Sequence, residues 1–208
     1  MKSLNVETRR GTVLNGVLFP AKNSDTVVIA ITGIHGNFYS NPFYYNIGDT
    51  LSANKVIYYL SKHHDKKRVE KFILMSPANL THMMSGVSDG EKDFIEKLVR
   101  YGQGKKILPF AFMGWVICTA NTAHDWLSGI LDNASGNFSQ VEQITHTGAL
   151  IIGTYDNFTD GAPVGFLQNI NLHMRTAKSN ELIFIEHTGH TYQQKHDEIA
   201  EKNFKFRS

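Results

Sequence analysis

GDTLSANKVIYYLSKH, Gly48–His63, lies between two apolar runs, VVIAIT at Val27–Thr32 and VEKFILMS at Val69–Ser76. Both runs have the composition of strands covered on two faces: continuous, apolar and rich in β-branched residues. The first ends in TGIHGN, a glycine-bracketed turn. The pattern between the strands is helical. It opens on Asn41-Pro42, an N-cap residue with proline at the first helical position. Phe43, Ile47 and Leu51 are spaced by four and share one face. Val56, Ile57 and Leu60 form a second stripe, and the phase slips between Leu51 and Val56. Two helices end to end, or one kinked helix, would both account for the slip. Strand, helical crossover and strand predict parallel neighbours, with Val27–Thr32 beside Val69–Met75 and a right-handed connection.

The same segment spells a degraded G-x-S-x-G. Gly48, Thr50 and Ser52 fall at the first glycine, the nucleophile and the second glycine. A nucleophile elbow needs a strand, a strained turn and then a helix, so that its hydroxyl stands clear of the backbone. YYNIGD has helical spacing instead. An ordinary helix surface carrying a small polar patch is the other reading of Gly48–Ser52.

Outward from this segment, the chain alternates strands and helices. Residues 3–8 and 12–19 alternate weakly around Arg10-Gly11, as a β-hairpin does. Asp89–Arg100 and Asn121–Leu131 have helical spacing, and Phe110–Ile117 is an apolar stretch. TGALIIG, Thr147–Gly153, and ELIFIE, Glu181–Glu186, are strands. Gly165–Thr176 and Gln193–Phe204 complete the helical patterns. The alternation predicts an α/β fold with a mainly parallel sheet flanked by helices. The 208 residues suit one domain. Residues 80–145, inserted between two strands, are expected to form a helical cap region.

Composition narrows the function. A net charge of +2 and 41% hydrophobic residues indicate neither a nucleic-acid nor a membrane surface. The single cysteine, Cys118, excludes an internal disulfide and suits a small buried hydrophobe. No apolar run approaches the roughly 18 residues of a membrane span. MKSLNVETRRG carries no signal-peptide core, so a cytoplasmic location is expected. Neither an HExxH pattern nor a Cys/His metal spacing occurs, and no metal or other cofactor is expected.

In a parallel sheet, ligands bind beyond the carboxyl ends of the strands. Gly33-Ile34-His35-Gly36-Asn37 follows the first strand. Ser76-Pro77 follows the next, without the glycine or helix start of an elbow. Thr154-Tyr155-Asp156-Asn157 and then Asp160 follow Thr147–Gly153. His187-Thr188-Gly189-His190 follows the last strand. An acid after one strand and a histidine after the next is the back half of a Ser…Asp…His chain order.

In this ordered set, the HGN turn, the GTYD strand end and the TGH loop, the chain resembles the α/β-hydrolase superfamily. The likeness is to its small serine-hydrolase and esterase-like members, over roughly Val13 to Lys202. The resemblance implies that Asp156 is the triad acid, with Asp160 in reserve, and His190 the base. It implies that Thr50 or Ser52 supplies the hydroxyl. The amide of Asn37, beside His35-Gly36, and the amide of Leu51 would be the oxyanion donors. The implied reaction is acyl transfer from a small carboxylic ester, without nucleic acid or membrane as partner. A catalytically silent homologue that binds a small acyl ligand or a protein partner is the competing reading. Substrate and oligomeric state are not specified. The chain departs from the family at residues 33–53. There the helix after the HG turn and the helix after the elbow run together, as an internal deletion around the elbow would leave them. His187, His196, His63 and His64 are expected at the surface.

Overall fold

The computed structural model describes residues 2–7, 9, 11, 13–18, 52–64, 69–129 and 138–207. The expected strand Val27–Thr32, its pairing with Val69–Met75 and the helical pattern before residue 52 lie outside the described residues. The fold is α/β, with a parallel sheet flanked by helices and an N-terminal β-hairpin. In the hairpin, β1 (Lys2–Glu7) pairs antiparallel with β2 (Val13–Leu18), Asn5 facing Asn15. Gly11, in the turn, has φ 77°, a conformation that glycine enters without a Cβ clash.

The helix α1 (Ser52–Lys62) leads to β3 (Lys71–Met75), and β3 pairs with β4 (Thr147–Gly153). A second crossover through α5 (Pro163–His173) brings β5 (Glu181–Ile185) beside β4. Among the described residues the sheet order is β3-β4-β5, all parallel. In register, Ile73 faces Ala149, and Ile151 faces Ile183.

Alternate residues of the strands feed two cores, because side chains of a strand point to opposite faces. Phe72, Leu74, Leu150 and Ile152 pack with Ala53, Ile57 and Leu60 of α1 and with Phe166, Leu167 and Ile170 of α5. Met75, Ala149, Ile151, Ile183 and Ile185 pack on the other face with Tyr192 and with Ile199 of α6 (His196–Arg207). β4 is therefore covered on both faces. Each fully buried isoleucine or leucine there contributes about 1.5–3 kcal/mol.

The stretch between β3 and β4 builds a third cluster. It contains α2 (Leu80–Met84), α3 (Asp89–Arg100) and α4 (Ala120–Leu127). Leu80, Val87, Ile95, Leu108, Phe112, Val116 and Trp126 are buried in it. Ser88 and Glu91 form a capping box at the start of α3, satisfying two N–H groups that the helix itself cannot. Phe110–Ile117 turns back on itself. Phe112 bridges Val116 and Ile107 bridges Thr119.

Several boundaries differ from the periodicity. α4 ends at Leu127 rather than 131, and it starts one residue early because Thr119 caps it. α5 starts at Pro163 and stops at His173, where Met174 turns extended. α6 begins at His196 rather than Gln193, since Tyr192 and Gln194 both take positive φ. β3 covers only Lys71–Met75 of the expected Val69–Ser76, and β5 stops at Ile185. Among the described residues, no helix is long and apolar enough to cross a membrane.

Candidate active site

β4 and β5 end side by side, and their following turns are tied together. Thr154 N–H donates to the Ile185 carbonyl at 2.9 Å and Tyr155 N–H to the Thr188 carbonyl at 2.9 Å. Gly153 permits this approach. A Cβ there would lie 2.3 Å from Thr188 O and 2.6 Å from Gly189 O, backbone atoms that have no rotamer to yield. Gly153→Ala is expected to cost about 1–3 kcal/mol in overpacking and to pull the His190 loop from the strand end. Urea unfolding and the His190 ring resonances report the two effects.

The turn after β4 holds Asp156 by its backbone. Asp156 N–H donates to the Gly153 carbonyl at 3.1 Å. Its carboxylate caps the short 3-10 turn Asn157–Thr159, accepting from Phe158 N–H at 2.9 Å. The Thr159 hydroxyl donates to the Asp156 carbonyl at 2.8 Å. The residue is 1% exposed, and the chain order alone does not reveal how completely the turn encloses it.

The structure brings His190 to Asp156. His190 Nδ1 lies 2.8 Å from Oδ2 and 3.0 Å from Oδ1. With the carboxylate ionised, Nδ1 must carry the proton and donate it, because both oxygens are acceptors. Nε2 is then the basic nitrogen. It is buried and has no hydrogen-bond partner among the described residues. Phe158 packs edge-to-face against the imidazole, with centroids 4.2 Å apart at 77°. Trp115 stacks nearly parallel on Phe158 at 6.2 Å, and Phe158 also packs against the cluster built between β3 and β4. Trp115 belongs to the aromatic stretch Phe110–Trp115, whose composition suits either core or the lining of an acyl pocket, whereas nothing in the sequence marks Phe158, two residues beyond Asp156.

Asp160 does not reach His190. It sits in the left-handed conformation, φ 61°, and pairs on the surface with His82 of α2 at 3.0 Å. Ser76 is wholly buried, its hydroxyl 2.6 Å from that of Tyr192. His187 and His64 are exposed, and His63 and His196 half-buried. Partial burial pushes the Cys118 thiol above its ordinary value, partly offset by a backbone hydrogen bond from Ala123. That keeps it a thiol rather than a thiolate nucleophile. Among the described residues, no group of three or more His, Cys, Asp or Glu side chains is arranged to hold a metal ion.

His35, Gly36, Asn37, Thr50 and Leu51 lie outside the described residues. Ser52 is the first residue of α1. Two residues on, the buried Asn54 docks this end of the helix on the turn after β3. Its side-chain amide donates to the Ala78 carbonyl at 3.0 Å and its oxygen accepts from Ala78 N–H at 3.1 Å. The start of α1 is thus fixed at the carboxyl edge of the sheet, the edge that carries Asp156 and His190.

No family model matches the chain, and no curated protein does. Among solved structures, Est1E from Butyrivibrio proteoclasticus is similar at 14% identity and a TM-score of 0.46, over 77% of this chain and 58% of that one. The enol-lactonase from Burkholderia xenovorans is similar at 11% identity and a TM-score of 0.45, over 77% and 64%. E-2-(acetamidomethylene)succinate hydrolase is similar at 12% identity and a TM-score of 0.47, over 77% and 65%. The chain spans less than two thirds of the length of each of these three structures. At these scores the likeness is one of outline, and the reading of the site rests on its own distances and burial.

Proposed function

We propose that this chain is a hydrolase of the α/β-hydrolase type. In this reading Asp156 and His190 are the acid and base of an acyl-transfer site for small carboxylic esters, with residues 80–145 as its cap. The observation that carries the reading is the state of the imidazole. One nitrogen is held by a buried carboxylate, and the other is buried without a partner among the described residues. A buried polar atom left unpaired costs about 1–3 kcal/mol, and a base poised for a substrate proton is a reason to bear that cost. In the reaction, Nε2 takes the proton of an attacking hydroxyl while Asp156 fixes the tautomer and stabilises the imidazolium. His190 then returns the proton to the leaving alkoxide, and water repeats the sequence on the acyl-enzyme.

Thr50 stands at the nucleophile position, two residues before α1, and backbone amides at Asn37 and Leu51 are the proposed oxyanion donors. The extra methyl group of Thr50 crowds the attack, so hydrolysis by the unaltered chain stays close to the uncatalysed background and the Thr50→Ser protein is the one that reports the site. A fluorophosphonate probe on the Thr50→Ser protein, followed by mass-spectrometric mapping, tests the reading. An adduct on residue 50 that His190→Ala prevents supports it. Adducts confined to other hydroxyls, or none on a folded protein, overturn it.

A further inference from the structure

A second buried polar cluster lies behind His190, on backbone and hydroxyl atoms that the reaction does not use. Ser76, directly after β3, has φ 44°, and Tyr192, two residues after His190, has φ 51°. Non-glycine residues in this left-handed region cost on the order of 1–3 kcal/mol and persist only where the surroundings hold them. Both are 0% exposed. The Ser76 hydroxyl is placed to donate to the Tyr192 hydroxyl at 2.6 Å and to the His190 carbonyl at 3.2 Å. The Tyr192 hydroxyl donates to the Ile151 carbonyl at 3.1 Å, and Ser76 N–H donates to the same oxygen at 2.8 Å. Tyr192 N–H closes a turn on the Gly189 carbonyl at 3.1 Å, with His190 inside it.

We propose that Ser76 and Tyr192 are positioning residues that set the His190 imidazole against Asp156. This rests on the reading of Asp156 and His190 as an acid–base pair. Asp156 is held by the turn after β4, whereas His190 stands on a loop after β5. The loop needs its own attachment if Nδ1 is to stay on the carboxylate. The attachment runs to the other two described strands of the sheet: through Ser76 to the end of β3, and through Tyr192 to Ile151 of β4. The Tyr192 ring lies in the core with Met75, Ile151, Ile183, Ile185 and Ile199, so its hydroxyl is delivered by a fixed lever. A core phenylalanine would fill the same space without the oxygen. Burying the phenol and the serine hydroxyl has a purpose if it fixes the His190 carbonyl and the turn around it.

The test uses Tyr192→Phe and Ser76→Ala in the full chain. The readout is the Nδ1 proton resonance of His190 and its exchange with water, beside near-ultraviolet circular dichroism and the melting temperature. Tyr192→Phe keeps the ring in the core, and so decides the matter if Ser76→Ala does not fold. The expected result is a folded protein whose Nδ1 proton exchanges about tenfold faster, the scale of one lost hydrogen bond. A lowered melting temperature with the Nδ1 resonance and exchange unchanged would make the pair structural only and overturn this proposal alone. Absence of the resonance from the wild-type protein would overturn the acid–base reading and this proposal with it.

Discussion

Hydrolysis of p-nitrophenyl acetate and p-nitrophenyl butyrate by this chain is expected to stay close to the uncatalysed background, although His190 and Asp156 lie within hydrogen-bond distance. A hydroxyl becomes a useful nucleophile only at hydrogen-bond distance from its base, on a strained turn beside oxyanion donors. Loss of the nucleophile from a triad typically costs on the order of a millionfold in turnover, leaving the residue due to binding and oxyanion contacts. That residue does not pass through His190, so His190→Ala should change it little in protein whose folding is checked by circular dichroism. Thr50→Ser removes the crowding methyl group. It should raise the rate on the order of a hundredfold, the lower end of what a positioned base contributes, and His190→Ala should abolish the rise. Robust turnover by the unaltered chain, lost with His190→Ala and with Thr50→Ala or Ser52→Ala, would show that the elbow works as it stands.

Asp156→Ala should destabilise the protein by about 2–5 kcal/mol, read as a fall in the urea midpoint. Two donors lose their acceptor at once: the part-buried Phe158 N–H and the buried His190 Nδ1–H. Each unsatisfied buried group costs about 1–3 kcal/mol. Asp156→Asn separates stability from chemistry. Its amide oxygen can still accept from Phe158 N–H, which turns the amide NH2 toward Nδ1. The imidazole must then accept at Nδ1 and carry its proton on Nε2, the wrong tautomer for a base. The midpoint should fall much less than for Asp156→Ala, while the hydrolysis gained through Thr50→Ser disappears. Equal losses of stability in the two variants would contradict this account of the carboxylate.

The site was legible in the sequence where chain order sufficed. TGALIIG is an unbroken apolar run because β4 is covered on both faces, and its ends were read to the residue. The acid after β4 and the histidine after β5 follow from two adjacent parallel strands ending at the same edge. Where several polar residues follow one strand, the choice depends on dihedral angles. Asp156 points inward as a cap, while Asp160, four residues later, points out to His82 because its φ is positive. Residues with positive φ also displaced the start of α6, and nothing in Tyr192 or Gln194 announces that conformation. α2 has five residues, too few for a period to show, and its N-cap Asn79 stands out only in the structure. In sequence, Ser76 is a serine after a strand that lacks the glycine and helix start of an elbow. Its role beside Tyr192 is visible only once residues 116 positions apart are brought together.

The account turns on how the His190 ring is held, and nitrogen-15 resonances of that ring measure it directly. In the neutral ring of the wild-type protein, the account predicts a protonated Nδ1 coupled to Asp156 and an unprotonated Nε2. It predicts that Asp156→Asn reverses the two. A proton found on Nε2 in the wild type, or ring resonances that Asp156→Asn leaves unmoved, would contradict it.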